Sequence, residues 1–321
     1  MSLEPVLAVK DLHVGFQTDG GMVHAVQAAS WSVRRGETLG IVGESGSGKT
    51  ASVLAVMDLL PGNGGILGGE IEWMGEPVTI PALRRLRGSR MAMIFQDPMR
   101  SLDPLMSVGR QIAEVLRKHN GMGRADAKAR AIELLALVGV SDPARRARQY
   151  PFEFSGGMAQ RAMIASALAA EPELLIADEP TTALDVTIQA QILDVIASLQ
   201  QRLGISMLLI THDLGVIANV ADRVAVMYAG RVVEEGETRT LFAHPRHPYT
   251  EALIAATPDP RRAAETLVPI PGSPPTVTEV TQACSFASRC RYATGQCQSE
   301  RPELQRLTHD PAHDVACWHA R

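Results

Sequence analysis

A glycine-rich turn near the start of the chain has the residue types and spacing of a phosphate-binding loop. Residues 43–50 read Gly-Glu-Ser-Gly-Ser-Gly-Lys-Thr, after an apolar run and before a helix-compatible segment. Glycines allow several backbone N–H groups to converge on one anion, and Lys49 can reach the terminal phosphates of a nucleotide. The Thr50 hydroxyl can ligate Mg²⁺. The alternative is a turn with a chance Lys-Thr pair, which is a rare coincidence in a chain with only four lysines.

The whole turn is therefore a candidate nucleotide contact, through backbone N–H groups, hydroxyls and the lysine ammonium. The candidate residues are Gly43, Glu44, Ser45, Gly46, Ser47, Gly48, Lys49, Thr50 and Ala51.

A second chemical feature is the acidic pair Asp178-Glu179, which follows the apolar run Leu-Leu-Ile-Ala at residues 174–177. A carboxylate at the end of a buried strand can hold Mg²⁺ through water, and its neighbour can orient or deprotonate an attacking water. The alternative interpretation is a pair of helix-capping residues. Because a phosphate loop precedes the pair, we expect Asp178 to serve Mg²⁺ and Glu179 to serve catalysis.

The elements that must position these residues alternate between apolar strands and helical stretches. Strands are predicted at 38–42, 91–95, 174–177 and 207–210, and helices at 51–60 and 187–203. Each strand ends in polar residues, which predicts a mostly parallel sheet with its site at the carboxyl ends of the strands. The first 33 residues have an antiparallel β character, and residues 108–161 have a helical pattern. The proline-rich stretch 258–283 is expected to be a semi-rigid linker.

Composition restricts the class of protein. The net charge of −4 argues against broad electrostatic binding to nucleic acid. No run of eighteen apolar residues is present to span a bilayer, and the N-terminus lacks the pattern of a signal peptide. We therefore expect a cytosolic protein whose membrane role, if it has one, depends on a partner.

Four cysteines distinguish the end of the chain, and they are spaced C-x₅-C-x₆-C-x₁₉-C. A cytosolic location disfavours structural disulfides, and this is not the C-x₂-C spacing of zinc ribbons. The spacing alone leaves metal binding and buried free thiols as alternatives. The candidate metal ligands are Cys284, Cys290, Cys297 and Cys317, with His309, His313 and His319 as spare ligands nearby.

The segment Phe154-Ser-Gly-Gly-Met158, followed by an apolar helix, resembles the signature sequence of ABC-type ATPases. That signature is usually Leu-Ser-Gly-Gly-Gln, so Phe154 and Met158 depart from it. A helix N-terminus capped by Ser155 is the structural alternative, and it is compatible with a γ-phosphate site. By this resemblance Ser155, Gly156, Gly157 and Met158 contact the ATP that is held by a partner cassette.

The resemblance assigns roles to further residues. Gln96 matches the glutamine-loop residue that contacts Mg²⁺ and senses the attacking water, and His212 matches the switch histidine at the γ-phosphate. Residues 183–185 match the loop that crosses between two cassettes. Phe16 stands where an aromatic ring stacks on adenine, although tyrosine is commoner there. The implied catalytic set is Glu179, His212, Gln96 and Lys49, and the implied Mg²⁺ ligands are Thr50, Gln96 and Asp178.

A narrower resemblance links the chain to the ATPase subunits of importers for di- and oligopeptides or nickel. It depends on the glutamine loop at 93–104, the His-Pro-Tyr-Thr sequence at 247–250 and Pro-Ile-Pro-Gly at 269–272. The cysteine tail is similar to the C-terminal extension of these subunits, which in some members holds a [4Fe–4S] cluster. The implied cofactors are ATP, Mg²⁺ and this cluster, with Zn²⁺ as the alternative. Arg291 replaces the usual proline after the second cysteine.

The resemblance implies an α/β P-loop ABC cassette with an antiparallel β subdomain, a helical subdomain and a small cysteine-containing extension. The expected boundaries are 1–257 for the cassette, about 101–165 for its helical subdomain and 258–321 for the extension. The implied function is ATP hydrolysis that powers peptide import through ATP-driven cassette dimerisation. Nickel or another small solute is the alternative cargo. A non-transport ABC ATPase or a regulatory nucleotide-binding module is the alternative of a different class.

The implied partners are a second ABC ATPase subunit, expected to be a non-identical homologue, two permease subunits in the membrane and an extracytoplasmic substrate-binding protein. No nucleic acid is expected as a partner. The implied location is the cytoplasmic face of the cell membrane, where the chain is held peripherally by the permease subunits.

Overall fold

The computed structural model describes residues 4–182, 184–257, 269–275, 282–307 and 310–320. The chain divides into two units, the first formed by residues 1–80 and 210–321 and the second by residues 81–209. The predicted linker at 258–283 and residue 183 of the predicted crossing loop lie largely or wholly outside the described residues.

The strands predicted at 38–42, 91–95, 174–177 and 207–210 are found to within one residue at each end, and helices lie between them along the chain. The strands are β1 (Pro5–Thr18), β2 (Gly21–Arg34), β3 (Thr38–Val42), β4 (Gly64–Trp73), β5 (Glu76–Pro77), β6 (Met91–Ile94), β7 (Leu174–Asp178), β8 (Ser206–Ile210), β9 (Arg223–Tyr228), β10 (Arg231–Glu237), β11 (Gln305–Leu307) and β12 (Asp310–Val315). The helices are α1 (Lys49–Val56), α2 (Ile80–Leu86), α3 (Pro98–Ser101), α4 (Val108–His119), α5 (Arg124–Leu137), α6 (Pro143–Arg146), α7 (Gly156–Leu168), α8 (Val186–Leu203), α9 (Leu214–Val220), α10 (Thr238–Ala243), α11 (Pro248–Ala255) and α12 (Gly295–Ser299).

The first unit contains the antiparallel sheet that the opening residues predict. Its strands lie in the order β2, β1, β4, β5. A second group of strands has the order β11, β12, β10, β9, β3, and within it only β3 and β9 pair in parallel. All five residues of β3 are buried, which explains why Thr-Leu-Gly-Ile-Val reads as a continuous apolar run rather than an alternating one.

The second unit contains β8, β7 and β6 in that order, with β6 and β7 paired in parallel. Most of its remaining residues form the helices α2 to α8. In α4 the buried side chains Val108, Ile112 and Leu116 recur at a spacing of four, so one helix face packs inward. The helical pattern predicted over residues 108–161 is therefore confirmed.

One predicted boundary is wrong. The sequence pattern predicts the helix after the phosphate loop over residues 51–60, yet α1 ends at Val56. Asp58 adopts a left-handed backbone with φ 49°, which cannot continue a right-handed helix. The apolar residues Leu59 and Leu60 that extend the helical pattern thus follow the helix instead of belonging to it.

Candidate nucleotide-binding site

The loop between β3 and α1 requires glycine at two positions because backbone atoms lie against it. A Cβ atom on Gly43 would lie 2.1 Å from the carbonyl oxygen of Met227, and one on Gly48 would lie 2.4 Å from that of Ala25. Gly48 also has φ 100° and caps the N-terminus of α1. The loop therefore approaches neighbouring backbone too closely for any side chain, and its N–H groups lead directly into a helix N-terminus.

Lys49 is buried, with 6% of its surface exposed, and the loop wraps around its ammonium group. Nζ donates hydrogen bonds to the carbonyl oxygens of Gly43 at 2.8 Å and Glu44 at 3.0 Å, and it lies 3.4 Å from the Ser47 hydroxyl. These contacts hold a positive charge within the loop, next to the N-terminus of α1, where a phosphate anion can bind.

The turn between β9 and β10 is hydrogen-bonded to the phosphate loop and helps to hold it in place. The Gly230 N–H donates to the Ser47 carbonyl at 2.9 Å, and the Gly230 carbonyl accepts from the Gln27 N–H at 2.8 Å. A Cβ on Gly230 would lie 2.8 Å from the Ala25 carbonyl oxygen. This glycine between β9 and β10 was missed in the sequence, where its only signal is an Ala-Gly turn between two strands.

Other predicted residues of the first unit lie as follows. Phe16 is half-buried on β1, and its ring covers Gly64, where an added Cβ would be 2.6 Å from Cε1. Thr50 is exposed in the first turn of α1 and Ala51 is half-buried.

His212 is exposed in the turn after β8. The next residue, Asp213, fixes that turn because its carboxylate caps α9 by accepting from the N–H of Gly215 at 2.8 Å and of Val216 at 3.2 Å.

In the second unit the structure brings together two predicted catalytic residues. The Gln96 side-chain amide donates to the Glu179 carboxylate at 2.9 Å, and the Thr182 hydroxyl donates to the same oxygen at 2.9 Å. Asp178 is buried at the end of β7, whereas Glu179 is half-buried just beyond the strand. Thr182 was missed because a threonine after Glu-Pro carries no distinctive sequence signal.

Glu179 also has a left-handed backbone, with φ 46°. Such a conformation costs a non-glycine residue about 1–3 kcal/mol and is concentrated at functional sites. Here it turns the chain sharply at the end of β7, while the contacts with Gln96 and Thr182 hold the carboxylate in one place.

The predicted signature residues begin α7. Ser155 is its N-cap, and the hydroxyl accepts from the Met158 N–H at 3.4 Å. A Cβ on Gly157 would lie 2.8 Å from Cγ2 of Ile188, so the start of α7 packs closely against α8. Ser155 and Gly156 are exposed. The helix N-terminus therefore presents its free N–H groups and a hydroxyl at the surface, where an anion can bind.

The cysteine tail does not support the metal predictions. All four cysteines are free thiols, and within the described residues no group of three or more His, Cys, Asp or Glu side chains is arranged to hold a metal ion. Burial raises the pKa of Cys284, and it raises the pKa of Cys317 to about 11; negative charge on the neighbouring thiols adds to both shifts. Both of these thiols are therefore protonated at neutral pH.

The predicted spare ligand His313 has a carboxylate partner, and its role toward a metal stays a prediction. Its Nε2 lies 2.7 Å from the Glu234 carboxylate, and only 1% of the side chain is exposed. His319 contacts the Thr294 hydroxyl at 3.0 Å, and His309 lies outside the described residues. In the part of the chain that the structure describes, no helix is long and apolar enough to cross a bilayer.

The sequence is similar to two families. It matches the family described as ABC transporter over residues 26–182. It also matches the family described as oligopeptide/dipeptide transporter, C-terminal region, over residues 233–297. The first match contains the phosphate loop, the signature and the acidic pair, and the second contains three of the four cysteines.

Close relatives cover almost the entire chain. The probable peptide ABC transporter ATP-binding protein y4tR of Sinorhizobium fredii is 50% identical over 98% of this chain and 94% of its own. The oligopeptide transport ATP-binding protein OppD of Bacillus subtilis is 50% identical over 98% of this chain and 88% of its own. The dipeptide transport ATP-binding protein DppD of Lactococcus lactis is 47% identical over 99% of this chain and 92% of its own.

Solved structures agree with the fold. A dimeric, post-hydrolysis form of the ATP-binding cassette MJ0796 bound to ADP and Pi matches with a TM-score of 0.64 and 26% identity, over 73% of this chain and 99% of its own. The structure of cbiO1 from Clostridium perfringens, part of the ABC transporter complex cbiONQ, matches with a TM-score of 0.63 and 26% identity, over 75% of this chain and 91% of its own.

Proposed function

This chain belongs to the ABC transporter family of ATP-binding proteins, and we propose that it is the ATP-hydrolysing subunit of an importer of di- and oligopeptides. The contact between Gln96 and Glu179 carries the enzymatic part of the proposal, because it joins the two residues that would hold the attacking water. The names of the relatives, which are peptide and oligopeptide transport proteins, support the choice of cargo.

The proposed reaction is attack of water on the γ-phosphorus of ATP. The new bond joins the water oxygen to phosphorus, the bond to the β–γ bridging oxygen breaks, and the water proton moves to the Glu179 carboxylate. Lys49 neutralises negative charge on the phosphates, and His212 contacts the γ-phosphate. The oxygen donors of Thr50, Gln96 and Asp178 are those that Mg²⁺ prefers, and the ion would neutralise charge as it develops.

A second ATP-binding cassette, a non-identical homologue, completes the site in this proposal. Neither the phosphate loop nor the signature alone can surround a γ-phosphate, so ATP links two cassettes and hydrolysis releases them. The exposed N-terminus of α7, with Ser155 and Gly156, serves the ATP held by the partner. The similarity to a dimeric cassette bound to ADP and Pi supports this arrangement.

Two permease subunits and an extracytoplasmic substrate-binding protein complete the transporter. The permease would hold this chain at the cytoplasmic face of the membrane. Seven large hydrophobic residues are exposed in the described part of the chain, and four of them lie between positions 99 and 152 of the second unit. This concentration supports a docking surface in that segment for an apolar cytoplasmic helix of the permease. These residues are Met99, Leu105, Tyr150 and Phe152.

The experiment that tests the cargo is uptake into vesicles that contain the assembled transporter and its binding protein. We expect labelled di- and oligopeptides to enter only when ATP is enclosed in the vesicles, on the side of the cassettes, with the binding protein outside, and unlabelled peptide to compete. Uptake of Ni²⁺ instead of peptide would assign the chain to the nickel alternative. ATP hydrolysis without any transported solute would favour the non-transport alternative.

The [4Fe–4S] cluster and Zn²⁺ stay predictions for the four-cysteine tail. Four thiolates are a suitable ligand set for either, although the described thiols are not arranged around a metal. Anaerobic purification followed by iron, sulfide and zinc analysis decides between them. Four irons and four sulfides per chain would support the cluster, and stoichiometric zinc would support the alternative. If the protein contains neither iron with sulfide nor zinc, the four cysteines are free thiols.

A further inference from the structure

We propose that Arg289 is a positioning residue for ATP binding, which holds the phosphate loop in its binding shape through an ion pair with Glu44. The C-terminal extension would then be part of the nucleotide-binding machinery rather than an appendage to it. This inference rests on the proposed function only in requiring that the loop binds ATP.

The ion pair joins residues 245 positions apart and is bidentate. Arg289 Nη1 donates to one Glu44 carboxylate oxygen at 2.7 Å, and Nη2 donates to the other at 3.1 Å. Only 4% of the Arg289 side chain and 24% of the Glu44 side chain are exposed. The hydrogen bonds to Glu44 raise the pKa of Arg289, so its charge is fixed. A paired, planar contact of this kind fixes both orientation and distance.

Residues of both the extension and the cassette hold the Arg289 guanidinium in place. Nε donates to the Pro271 carbonyl at 2.8 Å, and Nη1 lies 3.3 Å from the Tyr228 hydroxyl. The guanidinium also lies over the rings of Tyr228, at 5.7 Å, and Phe286, at 6.0 Å. With these neighbours the guanidinium cannot follow a displaced Glu44, so the arginine sets the position of the glutamate.

Glu44 transmits this position to the loop through its backbone. Its N–H donates to the Tyr249 hydroxyl at 2.8 Å, and its carbonyl accepts from Lys49 Nζ at 3.0 Å and from the Ser47 N–H at 3.2 Å. The Glu44 side chain points to Arg289 while its carbonyl contacts the lysine that would bind phosphate. A displacement of the Arg289 side chain would therefore be transmitted to Lys49 through Glu44 alone.

A purely structural role is the competing explanation: the pair could attach the extension to the cassette without affecting nucleotide binding. The two explanations differ in which quantity changes. A structural attachment affects thermal stability alone, whereas a positioning residue affects the Kd for ATP and does so only when Glu44 is present to transmit the effect.

The test is a double-mutant cycle in the full chain, with Glu44→Gln, Arg289→Met and both together, read by titration with a fluorescent ATP analogue. We expect each single change to weaken binding about tenfold. We expect the double variant to bind the ATP analogue no more weakly than the single variant that has the lower affinity. The control is Arg291→Met, which breaks the exposed ion pair between Arg291 and Glu251 in the same segment; its affinity should equal that of the unmodified protein.

Unchanged ATP affinity in Arg289→Met, or additive losses in the double variant, would overturn the inference. If Arg289→Met fails to fold, Arg289→Lys keeps the charge but loses the bidentate geometry, and the same comparison is made with it. The cycle measures nucleotide binding alone. A chain that binds ATP but supports no peptide uptake would therefore refute the proposed function. The coupling between Arg289 and Glu44 would still be measurable from ATP affinity in that case.

Discussion

The side-chain amide of Gln96 donates a 2.9 Å hydrogen bond to the carboxylate of Glu179, although 83 residues separate the two in sequence. Gln96 follows β6 and Glu179 follows β7, and these strands pair in parallel. The carboxyl ends of neighbouring parallel strands meet at one edge of a sheet, which is why both side chains reach the same place. The site chemistry of the second unit is thus a direct result of strand order.

Replacement of Gly48 by alanine should weaken nucleotide binding. The new Cβ would lie 2.4 Å from the Ala25 carbonyl oxygen, and the backbone has φ 100°. Both the close contact and the positive φ disfavour a side chain at this position, so the loop must move away from the conformation that binds phosphate. We expect the ATP affinity to fall by about tenfold or more. Titration with a fluorescent ATP analogue measures this.

The matched control is Gly62→Ala, where no atom lies within 4 Å of the added Cβ and the backbone is not left-handed. This variant should bind ATP as the unmodified chain does. Equal affinities for the Gly48 and Gly62 variants would contradict the assigned role of the loop.

Removal of the Ser155 hydroxyl should separate binding from hydrolysis. Ser155→Ala leaves the chain's own phosphate loop intact, but it removes the cap of α7 and the hydroxyl that we propose donates to the ATP of the partner cassette. We expect unchanged nucleotide binding by the isolated chain and a lower rate of ATP hydrolysis in the assembled transporter. Loss of the cap itself costs about 1 kcal/mol of stability.

Ser107→Ala is the control for this change, because Ser107 precedes α4 without a side-chain capping hydrogen bond. A reduced rate of hydrolysis in both serine variants would point to a general loss of stability. An unchanged rate in Ser155→Ala would remove this residue from the partner's site.

Two exposed apolar residues should matter only when the transporter assembles. Leu105 is 87% exposed and Phe152 is 68% exposed, so neither stabilises the isolated chain by burial. The variant Leu105→Ser with Phe152→Ser should keep the melting temperature and nucleotide binding, and should lose copurification with the permease. Leu203→Ser, at a residue of the second unit that is 49% exposed but lies outside the 99–152 segment, is the control. Full assembly of the double variant would exclude this segment as the docking surface.

His247 should make the stability of the chain sensitive to acid. It is buried, and burial lowers its pKa to about 4, against a weaker opposing effect of the Glu234 carboxylate. The unfolded chain has the ordinary histidine pKa near 6.5, so between these values the unfolded state binds more protons. The free energy of unfolding therefore falls as the pH drops below about 6.5, by about 2 kcal/mol at pH 5.

The test compares urea unfolding at pH 7.5 and pH 5 for the unmodified chain and His247→Asn. Asparagine can keep the helix-capping acceptor that His247 Nδ1 provides to the Tyr249 N–H at 3.0 Å. The variant should lose less stability on acidification. The same loss in both proteins would exclude His247 as the cause.

Features with a local signature were predictable from the sequence. The buried strand at 38–42 is found with the same bounds, and the strand ending at Asp178 differs by one residue, because continuous apolar runs mark strands buried on both faces. The phosphate loop and the acidic pair were recognised because their chemistry depends on adjacent residues. Glu179 and Gln96 were assigned to one site through the family resemblance.

Features that depend on distant contacts were not predictable. The ion pair between Glu44 and Arg289 spans 245 residues, and each partner is an ordinary charged residue in its own segment. Thr182 and Gly230 likewise acquire their roles only through contacts that the fold creates. The end of α1 was missed because the left-handed backbone at Asp58 interrupts an apolar pattern that continues in sequence.

The proposed mechanism is tested most directly by Glu179→Gln in the assembled transporter, with ATP binding, ATP hydrolysis and peptide uptake measured on the same vesicles. Glu171→Gln is the matched control, since Glu171 is an exposed carboxylate of the same unit that also has a left-handed backbone, with φ 53°. We expect Glu179→Gln to bind ATP normally, to lose hydrolysis by about 100-fold or more and to lose uptake with it. Normal hydrolysis, or peptide uptake that persists after hydrolysis is lost, would contradict the proposed mechanism.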